Sequence, residues 1–243
     1  LAMKVLAVVL LALGICMLPG HLGWSAAATV GGDAAFMDLP DGFGVTGDDD
    51  IPPEIIEIYS DDYEGDAFFF CLDRSWSMTL PAASGESKYA VMKREVVRAL
   101  QGLTARSVVS VVFYNVDLDP LTYGDPPIKM EAGAKAQLIS RIVGTPSSNG
   151  SCMFRGAEKL LRIALKTQNE FRTMIIVADG RTHCSNGDNT ADGVFNRIIA
   201  KNVTRMPINT IYTGPMSGED WTIGKPLLER LARATNGKFK IAK

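Results

Sequence analysis

From residue 67 onward, short apolar runs alternate with longer segments in which apolar side chains return every three or four positions. Continuous greasy runs of four to eight residues read as buried strands, and the longer period reads as amphipathic helix. Strands are therefore expected at residues 67–72, 107–114, 173–178, 207–212 and 238–241. Helices are expected where Tyr89, Met92, Val96 and Leu100 share a face, and where Leu138, Ile139, Ile142 and Val143 do. The same spacing recurs in Met153, Ala157, Leu160, Leu161 and Ala164, then in Phe195, Ile198 and Ile199, and last in Leu227, Leu228, Leu231 and Ala232, with Gly237 as the stop. Strand and helix in alternation predict an α/β fold, a doubly wound, mostly parallel central sheet covered by helices on both faces. Between residues 116 and 127 the chain is rich in Asp, Pro and Gly, so any strand there should be short and at an edge. There is no internal repeat.

The first 66 residues follow a different pattern. After Lys4 comes an apolar stretch over residues 5–18, broken by Pro19 and Gly20, and then small residues up to Ala28. This predicts an export signal over residues 1–28, cleaved after Ala27 or Ala28, because the apolar stretch falls short of the ~20 residues that span a bilayer. An uncleaved membrane anchor is the alternative. Lipidation at Cys16 is disfavoured by the bulky Ile15 before it. Residues 29–66 hold twelve acidic residues and neither Lys nor Arg, which reads as an acidic linker or arm. Residues 67–243 carry a net charge of +9 and form the expected folded domain. Within the arm, Ile55, Ile56, Ile58 and Tyr59 supply enough apolar surface for a short strand lying on that domain.

The candidate chemistry sits where strands end. The stretch AFFFCLDRSWSM carries the first strand into Asp73, Ser75 and Ser77; MIIVADG carries a second into Asp179 and Gly180; and PSSNGSCMFRGAEKL places Ser151 just before a helix. Ligands of doubly wound sheets bind at the carboxyl ends of strands, so these five side chains are candidates to converge. Their donors are all oxygen, which suits a hard divalent cation. Taken singly, each serine could instead cap a turn or helix, and each aspartate could accept from loop amides. Catalysis finds less support. A phosphotransferase using Asp73 would want a second carboxylate at the position held by Ser75, there is no Walker or GxSxG motif, and His183 is the only histidine outside the signal. A multi-histidine zinc centre is excluded.

At these residues the chain resembles the von Willebrand factor type A (vWA) domain. The metal-ion-dependent adhesion site (MIDAS) of that family combines DxSxS, a threonine in a second loop and an aspartate in a third. The resemblance covers residues 67–243. It implies a Rossmann-like fold, a divalent cation (Mg2+, or Mn2+ or Ca2+) held by Asp73, Ser75, Ser77, Ser151 and Asp179, and no enzymatic activity. The implied partner is a protein presenting an Asp or Glu carboxylate, which completes the cation's shell; nucleic acid is not implied. With an export signal, the expectation is a secreted or envelope-associated adhesion or scaffold module, extracellular, periplasmic or in the cell envelope. Two alternatives stand beside it: a metal-free degenerate vWA interaction domain and, less favoured, an Asp73-dependent hydrolase or phosphotransferase. The chain departs from the family pattern at Trp76, between the two serines, and at Ser151, which replaces threonine. Trp76 is either a ligand-facing anchor or a ring packed over its loop. Cys71 reads as a buried small hydrophobe, while Cys152 and Cys184 belong to loops at the same rim and are placed to pair in an oxidising compartment. A carboxylate of the arm, from Glu64 or Asp66, is a further candidate to occupy the site and block partners.

Overall fold

The computed structural model describes residues 52–117, 119–184 and 189–242. The export signal and residues 29–51 of the arm lie outside the described residues. Among the described residues, eight strands and five α-helices follow one another in the order β1 (Glu54–Ile58), β2 (Asp61–Gly65), β3 (Ala67–Asp73), α1 (Lys88–Gly102), β4 (Val108–Tyr114), β5 (Leu121–Lys129), α2 (Ala132–Gly144), α3 (Met153–Leu165), β6 (Arg172–Ala178), α4 (Ala191–Lys201), β7 (Ile208–Tyr212), α5 (Lys225–Ala234) and β8 (Phe239–Ile241).

The main sheet has the order β5-β4-β3-β6-β7-β8. Every pairing is parallel except β4 with β5. Each of the seven residues of β3 is buried, as a central parallel strand with both faces covered requires. Successive side chains of a strand point to opposite faces. Accordingly Phe69 and Cys71 join one core with Ala157 and Leu160 of α3 and Leu228 of α5. Phe68, Phe70 and Leu72 join the other, with Met92 and Val96 of α1 and Leu138 and Ile142 of α2. Burying a side chain of this size is worth roughly 1.5–3 kcal/mol, so the two cores flanking β3 anchor the fold.

Residues 54–65, which charge content assigns to the acidic arm, instead form an antiparallel hairpin in the same compact unit as the sheet. Ile56, Ile58 and Tyr63 enter the core beneath α1, while Ile55, Glu57 and Glu64 face outward. The hairpin turns through Tyr59 (φ 51°) and Ser60 (φ 61°). Two successive positive φ values match the twist of a two-residue hairpin loop, although neither residue type advertises such a turn. Glu54 is buried and accepts hydrogen bonds from Ser107 Oγ (2.6 Å), Thr104 N (3.1 Å) and Thr104 Oγ1. Its carboxyl lies below the usual range: burial pushes it up, but these bonds and Arg106 outweigh burial.

β5 is at the edge as expected, but its nine residues make it longer than the Asp, Pro and Gly content suggests. The register slips between Val109 and Val111, so Gly124, Asp125, Pro126 and Pro127 fall in the irregular stretch where regular pairing is interrupted.

Candidate functional site

The strand order reverses between β3 and β6; Asp73 is the last residue of β3 and Asp179 immediately follows β6. Leu72 pairs with Val177, so Asp73 and Asp179 emerge from adjacent strands at the same rim. Asp73 is fully buried and held by three donors. Its Oδ1 accepts from Ser75 N at 2.8 Å, and its Oδ2 accepts from Tyr114 Oη at 3.2 Å and from Ser151 Oγ at 3.0 Å. Ser75 Oγ lies 3.0 Å from Ser77 Oγ. Ser151 Oγ also faces the Arg181 carbonyl at 2.8 Å, so its single proton serves two acceptors. The structure thus gathers Asp73, Ser75, Ser77 and Ser151 through direct contacts and places Asp179 beside them.

Close backbone packing makes this possible. A methyl group on Gly156 would lie 2.9 Å from Cys71 Sγ, so α3 sits hard against β3 and carries the Ser151 loop to Asp73. Gly180 has φ +88°, and a Cβ there would meet Gly224 backbone at 2.6 Å, which explains the glycine after Asp179. The Ser151 loop is fixed further by Cys152 N donating to Asn115 O (2.8 Å), by Ser148 N donating to Arg74 O (2.6 Å) and by His183 N donating to Ser151 O (2.5 Å). Cys152 and Cys184 form a disulfide across the same two loops, and Cys71 is a buried free thiol. Of the two pairing states left open by the sequence, the structure shows the bonded one.

Asp179 is also fully buried. Its Oδ2 accepts from Lys88 Nζ at 2.9 Å, and its Oδ1 has no hydrogen-bond partner. The Lys88 ammonium thus pairs with Asp179, while Asp73 has hydrogen-bond donors but no paired cation among the described residues. The carboxyl of Asp73 is pushed up to about 7, first by burial and then by the charge of Asp179, against the pull of its Ser75 and Ser151 hydrogen bonds. The Tyr114 phenol is pushed up as well, chiefly by burial and then by Asp73, so it stays a donor.

The residues fit a hard cation in two respects. Their donors are hydroxyl and carboxylate oxygens, and one buried carboxylate oxygen lacks any partner. Among the described residues no group of three or more His, Cys, Asp or Glu is arranged to hold a metal ion, so any such site would depend on the serine hydroxyls. Lys88, Tyr114, Asn115 and the Arg181 carbonyl belong to the constellation but were not singled out from the sequence. Only Lys88 left a signal there: a cation at the first position of a helix opposes the helix dipole.

Trp76 is 62% exposed, so its ring does not pack over the loop. Leu80 and Met216, from loops at the same end of the sheet, are exposed too, as is Ile223 in the helical turn Asp220–Gly224. His183 is exposed, with its backbone engaged by Ser151. Blocking by Glu64 or Asp66 fails on geometry. Both precede β3 while Asp73 ends it, and a seven-residue strand spans roughly 20 Å.

No protein-family model matches the sequence, and no curated protein is detectably similar to it. Solved structures do match. A von Willebrand factor type A protein from Catenulispora acidiphila superposes with a TM-score of 0.60 at 18% identity, covering 75% of this chain and 40% of that one. An aerotolerance-related membrane protein from Bacteroides fragilis gives 0.56 at 14%, covering 74% and 92%. The pilus adhesin SpaC from Lactobacillus rhamnosus GG gives 0.58 at 10%, covering 74% and 28%. The fold is therefore α/β and vWA-like, and this chain spans well under half of two of these three proteins. No helix among the described residues is long and apolar enough to cross a membrane.

Proposed function

We propose that the protein is a non-enzymatic binding module of the adhesion or scaffold type, which engages an acidic side chain of a protein partner through a divalent cation. Asp73, Ser75, Ser77, Ser151 and Asp179 would hold the ion, Mg2+ or else Mn2+ or Ca2+. When bound, the ion supplies positive charge and an exchangeable coordination position suited to a carboxylate. The observation that carries this reading is the charge balance: Asp73 and Asp179 are both buried, the Lys88 ammonium pairs with Asp179 alone, and Asp179 Oδ1 is left without a hydrogen-bond partner. Uncompensated buried negative charge is costly, and a cation relieves it.

The protein's own residues serve this role without performing chemistry. Asp73 is buried and occupied by three donors, which leaves it poorly placed as a nucleophile. Tyr114 and Ser151 orient its carboxylate, and the disulfide braces the two loops that present Ser151 and Asp179. The exposed apolar side chains Trp76, Leu80 and Met216 at the same end offer contact area around a central polar anchor, as binding surfaces do. Among the solved neighbours are the pilus adhesin SpaC and the pili tip protein Mfa5 from Porphyromonas gingivalis, which supports an adhesive role. Export to the envelope or exterior accords with the amino-terminal apolar segment and with a disulfide.

Calorimetric titration of the purified protein with Mg2+ and Mn2+ tests the reading. Saturable binding is expected for wild type and is lost in Asp73→Ala and Asp73→Asn, both still folded by circular dichroism. Undiminished binding in the folded variants refutes the assignment. A second reading, a metal-free interaction domain, is favoured by the Lys88 ammonium at Asp179, which already supplies one positive charge.

A further inference from the structure

Lys88 lies 91 residues before Asp179 in the chain, yet the two form an ion pair at 2.9 Å whose side chains are 7% and 0% exposed. Its position is poor for a lysine on local grounds. It follows the N-cap Ser87 at the start of α1, where helix amides present partial positive charge, and the first turn holds no acidic residue. What retains the ammonium there is Asp179. The same side chain lines a cleft of about 460 Å3 between α1 and the loop after β7, walled by Leu80, Val91, Pro215 and Met216 and by Asp220. A flexible four-carbon stem standing between a buried carboxylate and an open cleft has somewhere else to go.

We propose that Lys88 is a tethered counter-ion that competes with the divalent cation for Asp179. The ammonium holds the carboxylate in the metal-free protein and swings into the cleft when the site is loaded. This rests on the metal reading above and adds its regulation. With Lys88 on Oδ2, a divalent ion at the unpartnered Oδ1 of the same carboxylate would stand close to the ammonium, and that like-charge repulsion sets the two occupants against one another. The competition lowers metal affinity and couples loading to the cleft. In the loaded state the cleft gains a positive charge next to its apolar walls, at the edge of the surface a carboxylate-bearing partner would cover. The second reading of the site is then the same molecule in its metal-free state.

Two measurements on the purified protein test this. The first compares Mg2+ and Mn2+ binding by calorimetry in wild type, Lys88→Met and Lys88→Arg. Lys88→Met is expected to bind about tenfold more tightly or better, because the internal competitor is gone, while Lys88→Arg keeps a cation and shows no such gain. The second needs no variant: wild-type protein is treated briefly with an amine-acetylating reagent, with Mg2+ or with chelator, and Lys88 modification is quantified by mass spectrometry. Lys88 is expected to be protected in chelator and reactive in Mg2+. If Mg2+ binds wild type and Lys88→Met equally and Lys88 stays protected at saturation, the proposal is overturned and the metal reading survives. Binding by none of the three proteins overturns both.

Discussion

Removing the Cys152–Cys184 disulfide tests how the site is held together. The double variant Cys152→Ala and Cys184→Ala avoids burying new hydroxyls, since both positions are almost wholly inaccessible. The bridge closes a loop of sequence separation 32, and chain entropy for a loop of that length gives about 3.7 kcal/mol at 25 °C. For a domain of this size that corresponds to a fall in Tm of roughly 7–15 °C. Urea unfolding followed by tryptophan fluorescence, on wild type with its disulfide confirmed by mass and on the variant, reads the difference directly.

The functional consequence separates two ways of holding the rim. Ser151 is also tied to the third loop by His183 N and by its own contact with the Arg181 carbonyl. If these bonds sufficed, the variant would lose less than about 1 kcal/mol and would bind divalent ions as wild type does, and the bracing role given to the disulfide would be refuted. The expected result is a stability loss near the entropic figure together with weaker ion binding.

Glu54→Ala should destabilise the protein by about 2–3 kcal/mol, because Ser107 Oγ and Thr104 N lose a buried charged acceptor; thermal or denaturant unfolding checks it, and a loss under about 0.5 kcal/mol would mean that the hairpin is ornamental. The pH dependence follows from Asp73, whose folded value of about 7 lies above its ordinary 3.8. Below pH ~4 the carboxyl is protonated in both folded and unfolded chains and costs nothing. As pH rises to 7 the unfolded chain ionises first, so this group withdraws stability on the order of a few kcal/mol, completed above pH ~7. In chelator, the stability of wild type relative to Asp73→Asn should fall from pH 4 to pH 7.5 by urea titration; a rise would refute the burial argument.

Four of the five expected strands were legible because each is a greasy run too short for a helix, the fifth, Phe239–Ile241, alternates apolar residues with Lys240, and the observed bounds of all five differ from expectation by a residue at most. The hairpin was hidden by its own composition. Its residues alternate buried and exposed, as in Glu54, Ile55, Ile56, Glu57 and Ile58, but the outward carboxylates make the segment look like solvated linker when charge is averaged. Period-two burial outweighs net charge because the buried side of a strand needs only every second residue to be apolar, and here one of those inward residues is Glu54, whose charge is stabilised by the hydrogen bonds it accepts.

The convergence of the five oxygen-bearing side chains was legible for a related reason: each follows a strand or precedes a helix, and chain geometry confines such positions to one rim of the sheet. The charge balance at that rim was not. Asp73 meets Tyr114 from the neighbouring strand, and Asp179 meets Lys88 from a helix 91 residues away. Neither partner is set by local periodicity; both follow from which strand lies next to which. Motif residues alone describe a cavity of negative charge open to a cation. Adding Lys88 changes the question from whether the site attracts a cation to which cation occupies it, and a lysine at the start of α1 makes the resting answer an internal one. On the proposed competition, ion affinity would be a difference between two occupants rather than a property of five oxygen donors, and residues outside the motif would decide its size.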